Sequence, residues 1–224
     1  MFTPLDAVQY GGGAIIVTVS SGTNYDLNAD LQANYSWNGA TSETVNVYIT
    51  GALSGTAPFV TGADSSGAGE NLTVVIYNQS TVRAAGGRGG NANGGSGVAG
   101  SNAFDISYNV SYDNSAGEIS GGGTGGTAGA VTAGSPGGPK EDPDPAINGG
   151  GGGGGAGTPA GAAGTGNPAG AAGSATAGGA GGVSPGHNGA AGGARGVSGK
   201  AINLNSNTAT DVGASTGTIN GAIS

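Results

Sequence analysis

The chain has 224 residues, no cysteine and a formal net charge of −8, with only 8% of residues charged. These figures exclude a disulfide framework and thiolate metal sites, oppose non-specific binding to nucleic acid, and differ from the composition of a highly charged disordered chain. No apolar run is long enough to cross a bilayer as a helix.

Taken in order, residues 1–13 (MFTPLDAVQYGGG) form a short arm that lacks the basic and apolar regions of a signal peptide. Ala14 to Ser20 is a predicted strand with β-branched residues on both faces. Ser21 to Glu43 is polar and Asn-rich and holds the only tryptophan, Trp37. Val45, Val47 and Ile49 alternate with polar neighbours, and Leu72, Val74 and Ile76 do so again, which predicts two more strands. No window sustains a 3.6-residue period, so essentially no helix is expected.

Composition switches at Ala84 to a first glycine-rich run. Phe104, Ile106, Tyr108, Val110 and Tyr112 then alternate with polar residues, predicting a half-buried strand or strand pair. Ser135 to Asn148 carries four prolines and four charges and reads as a solvent-facing loop. Seven glycines follow, Gly149 to Gly155, and Thr158–Gly164 returns nine residues later as Asn167–Gly173. A three-residue glycine phase fits polyproline II geometry. A bundle of such segments would need glycine wherever backbones approach closely and exchange hydrogen bonds. Collagen is excluded because glycine is 54 of 224, proline is only 9, and the triplet phase slips.

The last part echoes the middle. Gly97–Ile106 matches Gly196–Leu204, and Gly117-Glu118-Ile119-Ser120-Gly121 matches Gly217-Thr218-Ile219-Asn220-Gly221. A repeated module implies units that cap one another and do not fold alone. The expected fold is therefore all-β with a polyglycine/polyproline II bundle: short strands first, a Gly-rich sandwich after. The expected domains are an arm at 1–13, a β-strand domain at 14–83, and a glycine-rich bundle with interleaved strands at 84–224.

No residue set asks for an enzyme or a cofactor. Glycine-rich phosphate-loop patterns occur by composition alone and never in a strand–loop–helix unit. His187 is the only histidine and sits in a turn. Glu141, Asp142 and Asp144 are separated by prolines and lack a second ligand cluster for calcium. Arg83 and Arg88 are expected to satisfy backbone carbonyls, and Tyr108 and Tyr112 to lie in the core. If the chain binds a receptor, the candidates are Pro136, Lys140, Glu141, Asp142 and Asp144 in the acidic loop and Pro185, His187 and Asn188 in the second turn. They are polar, proline-bearing interruptions of the glycine pattern.

The sequence of AIIVTVSSGTNYDLN, IYNQSTVRAAGGRGGN, GSGVAGSNAFDI, YDNSAGEISGGG, the poly-glycine block and GGARGVSGKAINLNSNTA resembles glycine-rich, adhesin-like tail-tip and tail-fibre proteins of tailed bacteriophages. The resemblance runs from about Ala14 to the end. It implies a virion structural protein in the phage tail or fibre, acting outside the cell, with loops between polyglycine II segments touching a host-surface receptor, a polysaccharide or an outer-membrane protein. It also implies other tail proteins as partners and, by analogy with tail symmetry, a homotrimer. The alternatives are a head fibre or decoration protein without a receptor, and an ice-binding polyproline II bundle.

Overall fold

The computed structural model describes residues 13–39, 41–62, 71–90, 97–123, 125, 199–213 and 216–224. The chain divides into two compact units: Met1–Ala84, Asn102–Gly121 and Lys200–Ser224 form the first; Ala85–Ser101 and Gly122–Gly199 form the second. The first boundary falls at the composition switch. The short strands that follow it belong to the first unit.

In the first unit the strands are β1 (Ile15–Val19), β2 (Gly22–Asp26), β3 (Glu43–Ile49), β4 (Leu53–Val60), β5 (Leu72–Asn78) and β6 (Thr81–Ala84). They continue as β7 (Phe104–Asp105), β8 (Val110–Asp113), β9 (Glu118–Ser120), β10 (Ile202–Asn203), β11 (Ala209–Asp211) and β12 (Thr218–Asn220). Every strand pairing among the described residues is parallel. One sheet runs β1-β3-β5-β8-β11 and the other β10-β7-β4-β6-β9-β12, with β2 on β4. The chain passes from the five-stranded sheet to the other and back on each rung, with β6 and β7 sharing one rung of the second sheet and β9 and β10 the next, so the described residues wind as a parallel β-helix of five rungs.

Inward residues stack in ladders. Val17, Val47, Ile76, Tyr112 and Asp211 occupy one position on successive rungs. Leu53, Val82, Ile119 and Ile219 occupy another. Tyr25, Phe59, Phe104 and Ile202 form a third, with ring centroids 5.6 Å apart for Tyr25–Phe59 and 5.0 Å for Phe59–Phe104. β-Branched and aromatic side chains suit such half-buried pleated surfaces. The alternation at 104–112 is buried throughout, although it spans two strands of different sheets. Residues 106–109 turn the corner between them, and the inside of the coil stays inside.

The polar corners are satisfied from within. The buried Asn78 amide donates to Asn114 Oδ1 at 2.7 Å, and Asn114 donates onward to the Thr218 carbonyl at 3.1 Å. At another corner the Tyr108 hydroxyl donates to Asn28 Oδ1 at 3.1 Å, and the Thr61 hydroxyl accepts from the Ser107 amide at 2.9 Å. A buried donor without a partner would cost about 1–3 kcal/mol.

Among the described residues one helix, α1 (Leu27–Asn34), stands in the Asn-rich segment between strands. Asp26 caps it by accepting from the Ala29 amide at 3.0 Å. Leu27 and Leu31 anchor it in the core. Tyr35, just after it, donates from its hydroxyl to the Ile16 carbonyl of β1 at 3.2 Å. Helix and cap thus cover part of the first rung, which the strongly polar composition concealed.

Ile76 is fully buried in the central ladder, so Ile76→Ala is expected to cost about 2–5 kcal/mol, read as a lower midpoint in urea unfolding. Asn114→Ala is expected to cost about 1–3 kcal/mol by leaving one N–H of the buried Asn78 amide without a partner, its other N–H still donating to the Glu118 carbonyl at 3.2 Å, measured in the same way.

Candidate functional site

The eight residues that the sequence singles out for binding, Pro136, Lys140, Glu141, Asp142, Asp144, Pro185, His187 and Asn188, lie outside the described residues. What is described is the start of the unit that carries them. Its described segments are 85–90, 97–101, 122–123, 125 and 199.

These segments bond to one another through their backbones. Gly87 N–H donates to the Gly123 carbonyl at 2.7 Å, Val98 to Arg88 at 2.8 Å, and Ser101 to Ala85 at 3.0 Å. Gly122 donates to Ser101 at 2.8 Å and Gly125 to Val98 at 2.9 Å, and Gly199 donates to Gly122. Side chains are excluded where the backbones pass. A Cβ at Gly87 would overlap the Val98 carbonyl oxygen. At Gly97 it would meet that of Gly125, at Gly122 that of Ala85, and at Gly125 that of Arg88. The glycines are therefore required by contact distance and not by torsion.

In the β-helical unit an ion pair and charge–amide contacts link neighbouring rungs. Arg83 of β6 binds Glu118 of β9 in a two-pronged contact, Nε to Oε1 at 3.1 Å and Nη2 to Oε2 at 2.8 Å. This corrects the expectation that Arg83 serves carbonyls; the register Thr81↔Glu118 and Arg83↔Ser120 places the carboxylate within reach. Arg83 first, then the Ser120 hydroxyl at 2.6 Å, holds the Glu118 carboxyl below the usual carboxylate range. Lys200 donates to Asn203 Oδ1 at 2.9 Å, and Asn203 donates to Asp105 at 3.1 Å. Tyr108 and Tyr112 are buried, as expected, and offer no exposed platform. Burial first, and then a hydrogen bond to Asp30 at 2.6 Å, raises the pKa of the Tyr25 hydroxyl far above normal. Among the described residues there is no group of three His, Cys, Asp or Glu placed to hold a metal, and no helix is long and apolar enough to cross a membrane.

The geometry defines a class: a parallel β-helical scaffold from which glycine-rich, backbone-bonded segments are inserted. The chain belongs to the phage tail fibre adhesin Gp38 family, whose profile matches residues 14–223. It is also similar, with a TM-score of 0.46 and 18% identity, to a chain of the gp37-gp38 adhesin tip complex of the bacteriophage S16 long tail fiber, covering 94% of this chain and 82% of that one. No match is found among curated proteins.

The Arg83–Glu118 pair gives a pH signature. A carboxyl with a lowered folded pKa contributes stability above the ordinary carboxylate pKa of about 4.3, and loses it as pH falls through the folded value. Both side chains are part-exposed, 34% and 21%, so the pair is worth about 0.5–1 kcal/mol. Glu118→Gln is expected to remove that much stability at neutral pH and to flatten the acid limb of the stability curve, read by thermal unfolding across pH.

Proposed function

We propose that this chain is a non-enzymatic adhesin at the tip of a phage tail fibre, which attaches the virion to a host-surface polysaccharide or outer-membrane protein. The β-helix is the stable core unit of the chain. The glycine-rich unit is a bundle of polyglycine II helices whose connecting turns make the contact. The observation that carries this reading is the set of cross-segment backbone bonds at Gly87, Gly122 and Gly125, at positions where any side chain would strike a neighbouring carbonyl. Bonds of that kind satisfy the amides that an isolated polyproline II segment leaves open. Membership of a tail-fibre adhesin family supports this reading over a head fibre or an ice-binding protein. Rigid scaffolds that display variable loops are a common arrangement for recognition. The homotrimer expected of tail parts belongs to the same proposal, and light scattering on 20.5 kDa chains reads it directly.

Purified protein is expected to compete with phage for adsorption to host cells. Replacing residues 140–144 by Gly-Ser is expected to weaken that competition at least tenfold while leaving the unfolding midpoint in place. Unchanged competition would remove the acidic loop from the contact surface. A separate check addresses the scaffold. Gly122→Ala is expected to destabilise the glycine-rich unit by roughly 1–3 kcal/mol or more through overpacking against Ala85, seen as faster hydrogen exchange at residues 85–101.

A further inference from the structure

Asparagine followed by glycine is a reactive pair, because glycine leaves the next backbone nitrogen sterically open. Among the described residues the pair occurs at Asn38-Gly39 and Asn220-Gly221; three more, at 93–94, 148–149 and 188–189, lie outside them. The two described pairs sit in different surroundings. Gly39 is buried, its carbonyl accepts from Asn71 Nδ2 at 2.9 Å, and Asn38 itself has a partner. Asn220 closes β12 on the last rung, and both Asn220 and Gly221 are exposed.

The backbone there leaves the nucleophile open. The Asn220 carbonyl accepts from the Gly121 amide at 3.0 Å. In a trans peptide the N–H points opposite to the C=O, so the Gly221 N–H faces away from β9 toward the outer edge of the last rung. Among the described residues it has no backbone partner. The Asn220 side chain is held by Ser120 Oγ at 3.0 Å and by a long contact to Glu118 Oε1 at 3.5 Å. Ala222 and Ser224 bond to β10, so the exposed step at Asn220-Gly221 is held on both sides while its own Gly221 N–H stays open to solvent.

We infer that Asn220 is a site of spontaneous deamidation built into the last rung. The Gly221 nitrogen loses its proton to water or hydroxide and attacks Asn220 Cγ. The Cγ–Nδ2 bond breaks, ammonia leaves, and a succinimide ring remains. Water then opens the ring at either carbonyl, giving aspartate or isoaspartate. Both products act on the contacts already described. The new carboxylate replaces a donor beside Glu118, setting like charges together near Arg83. Isoaspartate also lengthens the backbone by one carbon, which breaks the Ser120↔Asn220 register.

The test uses the full chain, warmed at mildly alkaline pH and followed by peptide mapping with mass spectrometry. Conversion at Asn220 to two products of equal mass is expected, with Asn38 unchanged. Hydrogen exchange at residues 218–224 is expected to be faster in the converted fraction, and Asn220→Gln is expected to abolish both changes. The three pairs outside the described residues serve as internal clocks. Conversion of any of them, or of Asn38, while Asn220 stays intact would overturn the inference, as would no conversion anywhere.

Discussion

Parallel backbone pairing between successive rungs is the interaction on which the β-helical unit depends. A single rung has few residues and no core of its own. Stacked in register, successive rungs present mostly Val, Ile, Leu or aromatic residues over one another, although β11 places Asp211 beside Tyr112. The register also places the polar groups. Asn78 meets Asn114 at one corner, Tyr108 meets Asn28 at another, and Arg83 meets Glu118 on the outside. A slip of one residue would turn the inward set outward and unpair all three contacts at once. The buried asparagines thus specify alignment as well as satisfying their own amides.

The glycine-rich unit obeys a different constraint. It has few large side chains to bury, and glycine loses the most backbone freedom on folding. Its described segments offset that cost with hydrogen bonds between backbones that approach too closely for any Cβ. A sequence almost without side chains can therefore hold an ordered backbone. Each glycine at a crossing acts as a spacer of fixed thickness.

Much of this was legible in the sequence, because inward and outward positions alternate on a strand whichever sheet it joins. The faces of 45–49, 72–76 and 104–112 were readable for that reason. The G-x-I-x-G echo reflects real stacking: Ile119 lies beside Ile219, and Glu118 beside Thr218. The winding was less visible. Its period is obscured because the third and fourth rungs each contain an excursion, 85–101 and 122–199, which spreads stacked residues unevenly along the chain. Helix α1 was hidden because only Leu27, Leu31 and a buried Asn28 face inward, leaving no sustained apolar stripe. The Arg83–Glu118 pair could be found only once register was known.

The points where the chain leaves and rejoins the β-helix carry a further consequence. Val110 pairs with Ala209, and Phe104 with Ile202, across the whole of the second excursion. Closing a flexible loop costs only about 0.6 kcal/mol more for each doubling of its length. Rung stability is accordingly almost indifferent to how many residues the excursion holds. Folding speed is another matter, since pairings so distant in sequence form slowly. A change in the number of residues between Gly121 and Lys200 is thus expected to alter the stability of the β-helical rungs little. Variation in that stretch is limited by the time needed to find the last rung, and hardly at all by the stability of the rungs themselves.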